Sequence, residues 1–507
     1  MPDLSAVTPI AFNCEGGLVL NKSTFMMQPG EALELRNFEP DIQGGYRRIT
    51  GYSKYVSAIV PNTGNADEKT LMVATFGAKV IAARGTSIYS ADPAGSSWTA
   101  IDTGRTNAGK YRFERFNFDG TDKLIVVDGT NAPTIFNSSL SATDASTAAV
   151  VGSKFVASFK NHMFYSGKTT TKQEVVFSAP FDEDDFTSGN GAGSIKVDDE
   201  ITGLKVFRDD LFIFCETRIF KLSGTSSANF SVTAITRDIG CINGDTIQEF
   251  AGDLIFLGPD GLRTIAGTAR IGDVELGTIS SNVQSIFNEN ISSASEFDSL
   301  VIPDKTQYRI FFTKSTTSEK TTKGIICVLR GNKFEFSEMR GIRPSCTDHF
   351  VSNGDVIALH GAYSTGYIYR QESGNTFDGV TILGRYRSPD LTFNDPGIRK
   401  HMQRVIINYK PENIIDADLF VRYDYDAADA PKPAAYPLDS TDVAALYGNV
   451  NSTYGTAQYN NAASQPLVRQ SVEGSGFAVA LKVEDGGVTA SYSLKGFQLE
   501  YQLGARR

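Results

Sequence analysis

Hydrophobic and polar positions along this chain alternate in short bursts rather than at helical spacing. An apolar run stops at a tight turn and a second run starts on the far side. "KLIVVDGTNAPTIF" from Lys123, "LFIFCETRIFKL" from Leu211, "LIFLGPDGLRTIAG" from Leu254 and "VIALHGAYSTGYIYR" from Val356 all have this form. Asp-Gly and Pro-Asp-Gly supply backbone conformations that reverse a chain, and Val, Ile, Phe and Tyr suit a pleated surface. The pattern predicts strand, turn, strand. Spacing of 3.6 residues is rare, and "TISSNVQSIFNENI" from Thr278 is the best helix candidate.

These units recur. "IYSADPAGSSWT" from Ile88 and "VFSAPFDEDDFT" from Val176 align without a gap, about 88 residues apart. Half that shift finds "TIFNSS" at Thr134, "RIFKLSGTSSANFS" at Arg218, "RTIAG" at Arg263, "IICVLRGNKFEF" at Ile325 and "GYIYRQESGNTF" at Gly366. The step matches the ~40–45 residues of a propeller blade, apart from a longer one between 265 and 325. That step contains a polar stretch from Thr313 to Lys323 that reads as an exposed loop. About seven units between residues 60 and 375 predict a β-propeller, a ring whose closure leaves only short protected edges. An irregular pair of β-sandwiches is the competing reading.

After residue 376 the texture changes. Alternating runs such as Arg404 to Ile407 and Leu419 to Tyr423 precede a polar stretch from Asp424 to about Ser464. The chain ends in "GFAVALKVEDGGVTASYSLKGFQLEYQLGARR", where "VEDGGVTA" reads as a hairpin turn. The plan is therefore mainly β: an N-terminal arm over 1–55, a β-propeller over 56–375 and a C-terminal β-sandwich-like domain over 376–507. The arm, with "GGLVLNKSTFMMQPGEALELRNFEPDIQGGYRRITGY" over residues 16–52, is broken by glycine yet rich in Leu, Phe, Met and Tyr. Disordered segments lack such residues. It is expected to add an outer strand to a blade or to pack between domains or subunits, closing or bridging the propeller.

Composition narrows function more than fold. A length of 507 residues and 41% hydrophobic content give material for more than one core. No apolar run approaches the ~20 residues of a membrane span, and the first 15 residues lack the pattern of a targeting segment. A formal charge of -10 argues against gripping nucleic acid, which needs a cationic footprint. A plain solubility charge is the first reading of that number, and it leaves open a surface past which DNA slides, since like charge repels phosphate. Cys14, Cys215, Cys241, Cys327 and Cys346 are odd in number and unpaired in spacing, as expected of buried free thiols formed in a reducing compartment. His162, His349, His360 and His401 are scattered.

Catalytic motifs do not emerge. "SADPAGSSW" approaches the Asp box of sialidase-type propellers but holds one residue too many between Asp92 and Gly95, and that box is a turn. Asp182, Glu183, Asp184 and Asp185 lack the spacing of a calcium loop and read as a solvated turn. No G-x-S-x-G elbow is present, and "GNGAGS" from Gly189 lacks the Lys-Ser/Thr of a phosphate loop. The chain is read as no enzyme: catalytic residues none, cofactor-binding residues none, metal ligands none. "YRRITGY", "GRYRSPD", "GIRKHMQR" and Arg506-Arg507 are local cationic spots, read as solvated faces, salt-bridge partners or protein-interface residues.

The two ends carry a resemblance. Gly16-Gly17-Leu18-x-x-Asn21, Gln28-Pro29-Gly30-Glu31-Ala32, Asn37-Phe38-Glu39-Pro40-Asp41 and Gly45-Tyr46-Arg47-Arg48-x-x-Gly51-Tyr52, with the terminal "GFQLEYQLGARR", resemble phage virion proteins of the short-tail nozzle type, the tail tubular protein B-like group. The resemblance is firmest over 16–55 and about 380–507. It implies a structural subunit of a virion tail, assembled in the bacterial host cytoplasm. Six copies would form a nozzle around an axial channel, with a portal and adaptor ring above and fibre, spike or needle proteins docked to it. Double-stranded DNA would pass non-specifically through the channel, and the chain would not insert directly into a membrane. The chain is shorter than the larger nozzle proteins. The rival expectation is a glycan-binding or glycan-cleaving propeller on a cell or virion surface, and a propeller interaction scaffold within a cell is a third.

Overall fold

The computed structural model describes residues 7–64, 69–106, 109–265, 278–315, 322–412, 415–438 and 467–506. The chain is mainly β, and its strands from Met72 to Gln371 form a β-propeller closed by the arm. Blade 1 is Met72–Phe76, Lys79–Arg84, Ser87–Ala91 and Thr99–Asp102. Blade 2 is Arg112–Phe116, Lys123–Val127, Thr134–Phe136 and Ala142–Asp144. Blade 3 is Phe155–Phe159, His162–Ser166, Glu174–Phe177 and Gly193–Lys196. Blade 4 is Ile201–Phe207, Asp210–Cys215, Ile219–Ser223 and Ser231–Thr236. Blade 5 has three strands among the described residues, Gln248–Phe250, Asp253–Gly258 and Gly261–Thr264. Blade 6 is Pro344–Ser352, Asp355–Ala362 and Ile368–Gln371, with Tyr52–Lys54 of the arm as its fourth strand.

Six discrete blades replace the expected seven or so. The hairpin unit at Ile325 is not a separate blade. Glu296–Ile302, Gln307–Thr313, Lys323–Arg330 and Lys333–Arg340 stand in the ring between blades 5 and 6, but they are one end of a nine-stranded sheet. Arm strand Glu34–Arg36 pairs parallel to Lys333–Arg340 and antiparallel to Gly384–Arg387, so the sheet runs on into the C-terminal domain through Val479–Asp485, Asp418–Tyr423 and Tyr436–Pro437.

Packing explains the patterning. Blade faces meet their neighbours on both sides, so the middle strands read as continuous apolar runs: all five residues of Ser87–Ala91 are buried, whereas outer strand Thr99–Asp102 is exposed or half-buried. Ile81 and Ile88 of blade 1 pack with Leu124 and Phe136 of blade 2. The same contact recurs around the ring until Leu359 and Ile368 of blade 6 meet Val73 and Tyr89 of blade 1. The other hairpins expected from sequence are all antiparallel pairs in register. The expected helix is a 3₁₀ turn, Ser281–Val283, running into Gln284–Ile291, with Phe287 edge-on to Phe312.

The C-terminal domain is a sandwich. The far half of the nine-stranded sheet faces a seven-stranded sheet ordered Phe38–Pro40, Tyr46–Arg48, Tyr492–Arg506, Ile398–Pro411, Leu467–Ser471; Thr8–Asn13 and Ser475–Gly476 add to it at the sides. Tyr386 of one sheet stacks on Phe497 of the other at 5.6 Å. "VEDGGVTA" is therefore not a hairpin. Val479–Asp485 and Tyr492–Arg506 belong to opposite sheets, and the loop between them wraps Arg48, whose guanidinium donates to the carbonyls of Ile382, Gly487 and Thr489. Most of the polar stretch up to Ser464, residues 316–321 of the expected loop, and Arg507 lie outside the described residues.

Candidate functional site: the axial cavity of the propeller

Every innermost strand presents an edge to the propeller axis, and a cavity of about 260 Å³ lies there. Its wall alternates charge and aromatic surface. Arg112 clamps Asp245 through two hydrogen bonds of 2.7 and 2.8 Å, and its guanidinium lies over the Phe155 ring. Lys110 bridges Asp245, at 3.3 Å, and Asp298. Asp298 also accepts from the Thr347 hydroxyl at 2.6 Å and from Ser299 N–H at 2.8 Å. Gln248 donates to Ser299.

The electrostatics follow from that geometry. Burial alone would raise the Asp245 carboxyl, but Arg112 and Lys110 outweigh it and hold the group down to about 2. Burial wins at Asp298, which is raised despite Lys110. Lys110 is held charged, since Asp245 and Asp298 overcome its burial. Buried charges are tolerated when each is paired and hydrogen-bonded, and this cluster forms a fixed polar floor.

The other end of the wall is different. Glu114 uses one carboxyl oxygen to accept from Ser158 Oγ at 2.8 Å, and burial raises its pKa. Arg115 pairs with Asp348 at 2.5 Å. Lys205, half-buried on blade 4, has no ion-pair or hydrogen-bond partner among the described residues, and its charge acts on Glu114 and His349. The cavity thus presents paired charges, hydroxyls, and the Glu114 carboxyl and Lys205 ammonium, which share a field but form no ion pair among the described residues.

Sequence reasoning assigned none of these residues to a site; Cys346 and His349 were noted only as a free thiol and a scattered histidine. A usable signal was present: "KYRFER" from Lys110, "EFDS" from Glu296 and "SCTDH" from Ser345 place charges in the first strand of a unit, where apolar residues would serve packing better. Residues that the sequence did single out lie elsewhere. "SADPAGSSW" is the turn between the third and fourth strands of blade 1, with Asp92 paired to Lys79 and Trp98 Nε1 donating to Ala58. Asp182 caps its own turn by accepting from the amides of Asp184 and Asp185, and Asp184 accepts from Ser146 N–H. Several basic spots are salt-bridge partners: Arg48 lies 3.1 Å from Asp485 with both side chains fully buried, Arg47 pairs with Glu39 and Glu412, Arg385 with Glu484, and Arg404 with Glu500. The five cysteines are buried free thiols, their pKa values raised by burial.

No protein-family model matches the sequence, and no curated protein matches it. Solved structures similar in fold include BamB from Moraxella catarrhalis, 10% identical with a TM-score of 0.38, covering 73% of this chain and 98% of that one. The WD40 domain of Neurospora crassa Pan2 is 8% identical with a TM-score of 0.40, covering 64% and 96%. PorZ of the Porphyromonas gingivalis type-IX secretion system is 12% identical with a TM-score of 0.36; the match covers 67% of this chain and spans 43% of PorZ. At these identities and TM-scores the likeness says nothing about function, and the β-propeller rests on the strand order of the chain itself.

Proposed function

We propose that this chain is a structural, non-catalytic subunit of a phage short tail, six copies of which form a nozzle around the DNA channel. One observation carries the reading. The two segments that resemble nozzle proteins, 16–55 and about 380–507, lie at opposite ends of the sequence yet build one body: Tyr46–Arg48 pairs with Tyr492–Arg506, and Glu34–Arg36 with Gly384–Arg387. Segments that fold together are expected to share one resemblance.

The reading also fixes where DNA would run. The propeller's own axis is crossed by the Lys110–Asp245–Asp298 cluster and encloses only about 260 Å³, far too little for a duplex. The channel would be the space enclosed by six subunits, and an acidic surface there would lower affinity for phosphate. Portal and adaptor proteins above, and fibre, spike or needle proteins below, are the partners this role requires.

End-on electron-microscopy averages of the particle containing the chain, or of the purified chain mixed with a portal complex, test it. A sixfold ring on the tail axis is the expected result. Single discs away from that axis would overturn it and favour a glycan-binding surface propeller. Within assembled particles, replacing channel-lining carboxylates by Lys should slow DNA release without loss of assembly; unchanged release would remove the repulsion argument.

A further inference from the structure

We infer that the axial cavity is a binding site for a small hydroxylated carboxylate of about sugar-acid size, with Lys205 as its counter-charge. The inference stands on the cavity and its lining, independently of the assembly reading. Lys110 and Arg112 cannot serve as counter-charges, because Asp245 and Asp298 already engage them. Lys205 is the lining cation left without a carboxylate in ion-pair reach among the described residues. An ammonium that is half withdrawn from water, with the Glu114 carboxyl near but beyond ion-pair reach, favours a further anion in direct contact, since a charge-assisted hydrogen bond is stronger where solvent is partly excluded.

The rest of the wall selects hydroxyls over a bare ion. Gln248 and Thr347 already donate to protein acceptors, which leaves their oxygens to accept from a ligand, while Ser299 Oγ both donates to Asp245 and accepts from Gln248 within the wall. Phe113 and Phe155 add apolar surface to the cavity, each with a guanidinium, of Arg115 and Arg112 respectively, over its ring. A volume of about 260 Å³ admits one such ring and excludes a chain of them.

Titration calorimetry of the full chain with D-glucuronate, and with D-glucose as the neutral control, tests this. Glucuronate should bind saturably and glucose at least ~10-fold more weakly. Lys205→Met should weaken glucuronate binding at least ~10-fold, whereas Lys205→Arg should largely retain it, because the positive charge is kept. Circular dichroism of each variant confirms that the fold is intact. No glucuronate binding by the unaltered chain at millimolar concentration overturns the inference. Equal binding by the Lys205→Met variant overturns the role of Lys205.

Discussion

Arg309 is buried between the propeller and the arm. It reaches Glu39 of the arm at 3.2 Å and Glu372 after blade 6 at 2.5 Å, and Lys305 bridges the same two carboxylates at 2.6 and 2.5 Å. Taking Arg309 away leaves buried carboxylates with less compensation. Arg309→Met should therefore destabilise the chain by about 3–5 kcal/mol in urea unfolding; a loss below ~1 kcal/mol would mean that Lys305 and Arg47 suffice. Acid should act on the same cluster. Burial would raise the Glu372 carboxyl, but Lys305 and Arg309 outweigh it and set it below its ordinary 4.5. Its contribution is present above that pH and is lost as pH falls beneath it. His360 acts earlier. It sits against Tyr52 and Tyr369 with Nδ1 buried and unpartnered, and burial pushes its pKa from 6.5 down to about 3. The unfolded chain binds that proton first, so stability should fall as pH drops from 6.5 toward 3, by on the order of 1 kcal/mol per pH unit. His360→Leu should flatten this limb in unfolding curves across that range, and an unchanged slope would show that the imidazole does not titrate there.

Single elements of the arm do separable work. Tyr52–Lys54 closes blade 6, Glu34–Arg36 joins the two halves of the nine-stranded sheet, and Tyr46–Arg48 enters the seven-stranded sheet. Glycines set its path. Gly17 sits at φ 67°, and a side chain there would come within 2.8 Å of the Phe336 backbone. Gly51 is tighter: a Cβ would fall 1.9 Å from the Thr376 carbonyl oxygen, which accepts from Tyr52 N–H. Gly51→Ala should push the closing strand off blade 6 at a cost of about 1–3 kcal/mol or more. Limited proteolysis should then cut the arm near residue 55 faster than in the parent chain. Equal melting temperature and equal cutting would show that the crossing can yield.

At the scale of the whole molecule, neither domain is complete without the arm. The propeller lacks its sixth blade's outer strand, and the sandwich lacks Thr8–Asn13, Phe38–Pro40 and Tyr46–Arg48. An open apolar edge is a template for aggregation. A fragment of residues 56–375 should therefore aggregate or remain unfolded, and deletion of residues 1–50 should abolish the sixfold assembly proposed above. Size-exclusion chromatography and circular dichroism decide it: a monodisperse fragment with a cooperative melt would refute the shared-strand account. The intact chain should melt in one calorimetric transition, because a continuous sheet couples both domains.

Strand, turn and repeat were legible in the sequence because they depend on near neighbours. The apolar runs around Asp128-Gly129 and Pro259-Asp260-Gly261 form hairpins wherever they are placed, and their recurrence marks the blades. The arm's stickiness was legible too, since Leu35, Phe38 and Tyr46 need a surface to cover them. Tertiary structure alone decided the rest. Lys323–Arg340 has the local pattern of a blade, and only the parallel pairing of Arg36 with Glu338 draws it into a sheet shared with the other domain. "VEDGGVTA" has the pattern of a hairpin, and only the Arg48 side chain, from more than 400 residues away, turns it into a corner between sheets. The axial cavity depends on charges from separate blades, Lys110, Lys205, Asp245 and Asp298, that meet only when the ring closes. Local free energies select strands and turns; which strand edges pair, and which charges are buried together, is settled by the closure of the ring and the seating of the arm.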